Sequence, residues 1–277
     1  MKTMEVEFVK MEGLGNDFVL IEGEKYPDLR YSDFSKKCLD RHFGIGGDGL
    51  LVVGKSQKAE IYMRIFNPDG SEAEMCGNGI RCAALYAKDS GLVNKAEINV
   101  ETLAGIKRVF ITKEGIRVDM GIPKLHPDEI PVKLKGEVII DHPLRIKGKW
   151  LKITCVSMGN PHAVIFMNPD EEEFRALGPI IENHEMFPQK TNVEFVKVID
   201  KNTIKVRVWE RGAGPTLACG TGACASLVAS HLKGFTERKA NVFLPGGKLI
   251  VEWGDMGHVF MTGPANYVFK GMFIKND

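Results

Sequence analysis

Cys76-Gly77-Asn78-Gly79 and Cys219-Gly220-Thr221-Gly222 are two versions of one turn, 143 positions apart, and they decide the fold. Working outward from them, Gly15-Asn16-Asp17-Phe18-Val19-Leu20-Ile21 finds its echo in Gly159-Asn160-Pro161-His162-Ala163-Val164-Ile165, and Asn99-Val100 in Asn241-Val242. Three matches in one order and at nearly one spacing imply two copies of a single domain-sized unit, a period too long for a solenoid. The seam is expected where Gly121-Ile122-Pro123, Pro127 and Pro131 cluster, since proline interrupts both helix and ladder. A second break at Gly263-Pro264 leaves a short strand, Tyr267-Val268-Phe269, to return to the first unit. The expected domains are therefore 1–121 with 264–277, and 122–263.

Each copy reads as strands, then a helix, then strands. Val19–Ile21, Leu50–Val53, Ile61–Phe66 and Arg108–Ile111 carry the strand signal in the first copy; Ala163–Phe166, Val193–Val196, Ile204–Trp209 and Leu249–Val251 carry it in the second. The helices are predicted over 79–89, ending at Gly91, and over 221–233, ending at Gly234. The fold class is α/β with an α+β character, the strands pairing mostly antiparallel. Gly44-Ile45-Gly46-Gly47-Asp48-Gly49 fits a G-x-G-x-x-G pattern, but it follows a helix-like stretch and precedes a strand, the reverse of a dinucleotide turn, so it reads as a tight turn.

The chain has 277 residues, 37 Lys plus Arg against 36 Asp plus Glu, and a formal net charge of +1. That balance argues against a nucleic-acid or anionic-membrane partner. No stretch approaches the roughly 18 apolar residues of a membrane span, and the start has no apolar signal region, so a soluble, unexported, cytoplasmic protein is expected. Six cysteines in a chain of this length are too few for a disulfide scaffold. No Cys-x-x-Cys spacing occurs and neither Cys76/Cys82 nor Cys219/Cys224 shares a helix face, so no metal is expected. Cys38, Cys82, Cys155 and Cys224 read as small buried hydrophobes.

Cys76 and Cys219 read otherwise, because both fall at helix N-termini. There several N–H groups lack partners and the dipole is positive, which favours a thiolate and an anion. Two such turns on two equivalent domains imply pseudo-two-fold symmetry and can set two sulfurs on opposite sides of one cleft. A base on one face of a carbon and an acid on the other invert it, and backbone N–H groups holding a substrate carboxylate absorb the charge that develops. The implied reaction is inversion next to a carboxylate without pyridoxal phosphate or any other cofactor. Glu210-Arg211 precedes Cys219 at the spacing by which Asn67 precedes Cys76, which favours substrate contact, and His162 is a further site candidate. Two other classes remain open: a hydrolase or transferase using one cysteine with His162, and a duplicated module that captures small anions.

With these motifs in view, together with Phe66-Asn67-Pro68-Asp69-Gly70-Ser71, Met158-Gly159-Asn160-Pro161-His162, Thr191-Asn192-Val193-Glu194 and Trp209-Glu210-Arg211-Gly212-Ala213-Gly214, the chain resembles the diaminopimelate epimerases. The resemblance implies two similar α/β domains, each a sheet wrapped round a central helix, with the active site in the cleft between them, and often a homodimer. It implies that Cys76 and Cys219 form the acid/base pair for interconverting LL- and meso-diaminopimelate, on the lysine and peptidoglycan route. Backbone groups of Gly77, Asn78, Gly220 and Thr221 would hold the reacting carboxylate. Asn16, Asn67, Asn160, Asn192, Glu210 and Arg211 would recognise amino and carboxylate groups, with His162 near the reacting centre. Gly49 stands where many members carry Gln. Proline racemase-like and phenazine-pathway isomerase-like proteins resemble the same fold and supply the alternative.

Overall fold

A computed structural model describes residues 4–275. The chain divides into two compact units, one formed by the residues up to Val118 together with those from Thr262, the other by Asp119–Met261. In the first unit the order is β1 (Met4–Gly13), β2 (Asn16–Glu22), α1 (Tyr31–Cys38), β3 (Gly49–Lys55), β4 (Ile61–Phe66), β5 (Glu72–Ala73), α2 (Gly77–Asp89), β6 (Glu97–Thr102), β7 (Gly105–Thr112) and β8 (Gly115–Asp119). The second runs β9 (His142–Ile146), β10 (Lys149–Ser157), β11 (Pro161–Ile165), α3 (Glu171–Glu182), β12 (Asn192–Asp200), β13 (Thr203–Glu210), β14 (Gly214–Thr216), α4 (Gly220–Leu232), β15 (Lys239–Leu244), β16 (Gly247–Trp253) and β17 (Val259–Gly263). The last strand, β18 (Asn266–Lys275), pairs antiparallel with β1.

The duplication extends to the hydrogen-bonding ladder. Antiparallel β1–β2 corresponds to β10–β11, β3–β4 to β12–β13, and β6–β7 to β15–β16. The strands are not all antiparallel, however: β2–β3 and β4–β6 pair parallel, as do β11–β12 and β13–β15. A parallel pair needs a long crossover. In the second unit the β11–β12 crossover contains α3, which is not among the predicted helices; Asp170 caps it by accepting from the Glu173 N–H at 2.8 Å. The helix-like stretch before Gly44 is helical only to Cys38, after which Asp40 accepts the N–H groups of His42 and Phe43 and turns the chain.

The central strands β3, β11 and the first half of β12 are buried on both faces. On one face of the second unit, Ile153, Cys155, Ala163, Ile165, Val193 and Phe195 pack with Phe174, Leu177 and Ile181 of α3. Phe174 and Phe195 meet edge to face at 5.5 Å. On one face of the first unit, Val19, Ile21, Leu50 and Val52 pack with Phe34 and Cys38 of α1. Side chains alternate along a strand, so Phe18 and Leu51 in one unit, and His162 and Glu194 in the other, point to the opposite face, towards α2 and α4. Those helices are rich in Gly, Ala, Ser and Cys, and α4 is buried continuously from Gly222 to Ser230, as a helix enclosed by sheet must be. Both begin at the two repeated turns.

Candidate active site

The two cysteines have the same local structure. Cys76 is the N-cap of α2, with extended backbone (φ −135°, ψ 121°), and its sulfur accepts the Gly79 N–H at 3.4 Å. Cys219 is the N-cap of α4 (φ −122°, ψ 113°), and its sulfur accepts the Gly222 N–H, also at 3.4 Å. The sulfur thus takes the place that a Ser or Asp oxygen ordinarily fills at a helix start. The predicted helices began two residues and one residue late, because the glycines that make loop-like sequence are here the first helical turn.

Around Cys76 the side chains are amides. Its sulfur contacts Asn16 Oδ1 at 3.7 Å, and the same oxygen accepts from Asn78 Nδ2 at 3.1 Å. Asn16 Nδ2 donates to Asp48 Oδ2 at 2.8 Å, so the Gly44–Gly49 turn serves to orient Asn16. Arg41 holds the same turn through Asp17 and Asp48, both at 2.7 Å, and Lys10 reaches the Gly46 carbonyl. Asn67, at the end of β4, donates to Ser71 Oγ at 2.9 Å and remains partly exposed. A Cβ at Gly49 would sit 3.3 Å from the Phe18 ring and 3.4 Å from Ile65, a tight place that keeps this position small.

Cys219 lies among ionisable groups. His162 on β11 and Glu194 on β12 are fully buried, with His162 Nδ1 2.7 Å from Glu194 Oε1. His162 Nε2 lies 3.0 Å from Asn160 Oδ1, Asn160 Nδ2 donates to Thr221 Oγ1 at 3.3 Å, and Thr221 Oγ1 lies 3.5 Å from the Cys219 sulfur. Thr216 donates to Glu210 Oε1 at 2.5 Å. Burial pushes the Glu210 and Glu194 carboxyls up from their ordinary range. At Cys219 burial comes first, then the Glu210 and Glu194 carboxylates, and together they push the thiol well above its usual value. The helix N-terminus was expected to lower it; desolvation and two nearby acids outweigh the Gly222 N–H and Thr221 hydroxyl that pull the other way.

Asn192 and Arg211 are joined to each other. Asn192 is 3% exposed, donates to the Pro161 carbonyl at 3.0 Å and accepts the Arg211 N–H at 2.9 Å, so its amide fastens the loop that carries Arg211. The Arg211 side chain is exposed and donates to the Gln189 carbonyl at 3.1 Å. Sequence reasoning passed over Asp48, Thr216, Glu194 and Arg81. Arg81 is fully buried and donates to the Gly77 carbonyl, Asn78 Oδ1 and the Pro264 carbonyl, each at 3.0 Å, tying the first turn of α2 to the returning C-terminal segment. Its signal was present: a lone Arg inside a small-residue helix has to find carbonyl partners.

Solved structures with the same architecture define the class. A phenazine biosynthesis protein of the PhzF family from Bacillus anthracis superposes with a TM-score of 0.65 at 19% identity, over 98% of this chain and 99% of that one. A probable proline racemase from Agrobacterium radiobacter gives 0.70 at 15%, over 96% and 92%. The chain thus has the two-domain α/β fold common to these proteins. Within that class the family model for diaminopimelate epimerase matches residues 8–126 and 154–268. The diaminopimelate epimerase of Acetivibrio thermocellus is 53% identical over 273 residues, 96% of this chain and 98% of the relative, and that of Methanococcus maripaludis is 51% identical over 96% and 99%. The chain belongs to the diaminopimelate epimerase family, a family of isomerases.

Proposed function

We propose that the protein interconverts LL- and meso-diaminopimelate, with Cys76 and Cys219 removing and returning the α-proton on opposite faces of one carbon. The observation that carries this reading is the same sulfur-capped helix N-terminus built twice, once in each unit, with the sulfur 3.4 Å from the N–H of the third residue after it. A thiolate on one side takes the α-proton, forming S–H as the Cα–H bond breaks, and the electron pair is delocalised into the carboxylate. The thiol on the other side then delivers its proton to the opposite face and is left as thiolate. Reversal of the two roles runs the reaction backward, so no external acid or base is consumed.

The carboxylate that must accept negative charge is the natural ligand for the backbone N–H groups at the two helix starts, those of Gly77, Asn78, Gly220 and Thr221. Asn16 and Asn160 lie next to the two cysteine turns, where amides can bind the α-amino group. Glu210 and Arg211, on one loop, offer opposite charges for the zwitterionic far end of diaminopimelate. In this scheme backbone dipoles and sulfur do the work of a cofactor. The reading also requires the two units to bring their helix N-termini to one substrate.

Solvent deuterium tests it. Wild-type protein should incorporate deuterium at the α-carbon during turnover of LL- or meso-diaminopimelate, and Cys76→Ala and Cys219→Ala should each abolish inversion. Wild-type turnover in Cys219→Ala would favour a single-nucleophile enzyme, and binding without deuterium uptake would favour the anion-capturing module. Racemisation of proline, with diaminopimelate left untouched, would favour the proline racemase-like alternative.

A further inference from the structure

Glu194 is a costly side chain to bury. It is fully buried on β12, one of its oxygens is 2.7 Å from His162 Nδ1, and the other, Oε2, is buried without a hydrogen-bond partner. A buried acid in that condition is retained only against a penalty, since an apolar side chain of similar size would remove it. The duplication shows what that apolar residue would be. In the parallel ladder His162 pairs with Asn192, and its counterpart Phe18 pairs with Gly49, which makes Glu194 the equivalent of Leu51. The two helix turns agree: a Cβ on Gly79 would touch Leu51 Cδ2 at 3.0 Å, and one on Gly222 would touch Glu194 Oε1 at 2.8 Å. Beneath the first cysteine the sheet presents Phe18 and Leu51; beneath the second it presents His162 and Glu194.

We propose that Glu194 is a positioning residue, which grips the His162 ring by Nδ1 and through His162, Asn160 and Thr221 fixes the hydroxyl that faces the Cys219 sulfur. This rests on Cys219 being one of the two reacting thiols. The hydrogen-bond chain dictates the logic. His162 Nε2 faces Asn160 Oδ1, an acceptor, so Nε2 carries a proton. Nδ1 and Glu194 Oε1 then share one more proton between them, and whichever atom holds it the pair is net neutral. Asn160, oriented by that Nε2–H, presents its Nδ2 to Thr221 Oγ1, which leaves the Thr221 hydroxyl hydrogen free for sulfur. With no acid at 194, the neutral ring is free to carry its proton on Nδ1 instead. The Asn160 amide then turns over to donate to Nε2, and Thr221 donates to Asn160 rather than to Cys219. The ionisable groups facing this chain are Glu210 and Cys219 itself.

The test compares E194L, which installs the residue of the first unit, with E194Q, whose amide N–H can donate to Nδ1 and keep Nε2 protonated. E194L leaves His162 Nδ1 buried without its partner, so it should fold with a Tm lowered by a few degrees, keep KM within about threefold, and lose about ten- to a hundredfold in kcat for inversion, less than outright loss of a proton-transfer group. E194Q should recover most of that kcat. Imidazole 15N spectra, with His162 assigned by its absence in H162F, should show protonated Nε2 in wild type and E194Q and a changed proton position in E194L. Wild-type kcat in E194L, or an E194Q as slow as E194L with His162 Nε2 still protonated, would overturn the inference. Loss of inversion in C219A beside a normal E194L leaves the two-thiol reading standing and overturns only the role of Glu194; full inversion in C219A overturns the two-thiol reading itself.

Discussion

Gly222→Ala and Gly79→Ala make the same change at equivalent positions and should have unequal costs. At Gly222 the new methyl would lie 2.8 Å from Glu194 Oε1 and 3.3 Å from the Cys219 sulfur. The carboxylate must withdraw, but it is tethered to His162 at 2.7 Å and has no second partner to retreat to. Breaking that bond leaves a buried polar group unsatisfied, which costs about 1–3 kcal/mol. The helix gains up to about 1 kcal/mol from replacing Gly by Ala, which offsets part of it. The net loss of about 1–2 kcal/mol lowers Tm by roughly 2–8 °C at about 2–4 °C per kcal/mol. At Gly79 the obstacle is Leu51 Cδ2 at 3.0 Å, the far end of a flexible side chain, with Cys76 Cβ next at 3.5 Å. A rotamer shift relieves it, so Gly79→Ala should stay within about 1 kcal/mol of wild type. Differential scanning calorimetry of both variants, with α-carbon deuterium exchange alongside, makes the comparison. Equal losses at the two sites, or a more stable Gly222→Ala, would refute the claim that an acid rather than an apolar side chain supports the second turn.

Burial opposes ionisation of Asp17, but hydrogen bonds from Arg41 and Lys10 outweigh it and hold its carboxyl well below the usual carboxylate range. A depressed carboxylate stabilises the fold above its unfolded pKa of about 3.9 and loses that contribution as pH falls towards the folded value, so Asp17→Asn should destabilise at pH 7 and match wild type in strong acid. Burial pushes Cys38, Cys82 and Cys155 up to about 12. Iodoacetamide at pH 8 should therefore spare those three in the native protein and modify Cys76, the one cysteine that is not fully buried, first, as peptide mass spectrometry would show. Thr216→Val removes a donor to the charged form of Glu210, so the acid limb of the kcat/KM profile should move to higher pH, and Thr216→Ser should return it. Val268, Met272 and Ile274 expose apolar surface along β18; if the protein dimerises through it, Met272→Lys with Ile274→Lys should yield monomer in sedimentation velocity.

The duplication was legible because it is written in the residues that cannot vary freely: sulfurs at N-caps and glycines that let a helix start against a sheet. The strands that alternate or run apolar, such as Ile61–Phe66 and Ile204–Trp209, could be read from period alone. Pairing direction could not, since parallel and antiparallel ladders use the same side chains; only the crossovers distinguish them. Helix α3 went unread although Asp170 and the three glutamates after it signal a helix start, because Gly178 and Pro179 break the pattern until Phe174, Leu177 and Ile181 have a sheet to cover. At the site, the motif residues were visible and their tasks were not. The sequence marks Asn192 as polar but not that its amide joins the backbones of Pro161 and Arg211. Glu194, inside the strand run Val193–Val196, gave no sign that its side chain would be buried beside a histidine.

A duplicated scaffold supplies geometry cheaply, since two copies of one turn present two sulfurs in the same local frame, but it supplies them as equals. The proposed inversion needs them unequal at any instant: one must hold a proton while the other lacks it, and two identical sites would share that proton with no preference. The departures from internal symmetry are where that preference can arise. Phe18 is answered by His162, Leu51 by Glu194 and Asn67 by Glu210, and every one of these exchanges adds an ionisable group on the side of Cys219. Burial raises the Cys219 thiol, and the carboxylates of Glu210 and Glu194 raise it further. In the proposed reaction a pair biased in this way favours one proton arrangement and with it one configuration of substrate, while the opposite configuration reacts only once the proton sits on the other sulfur.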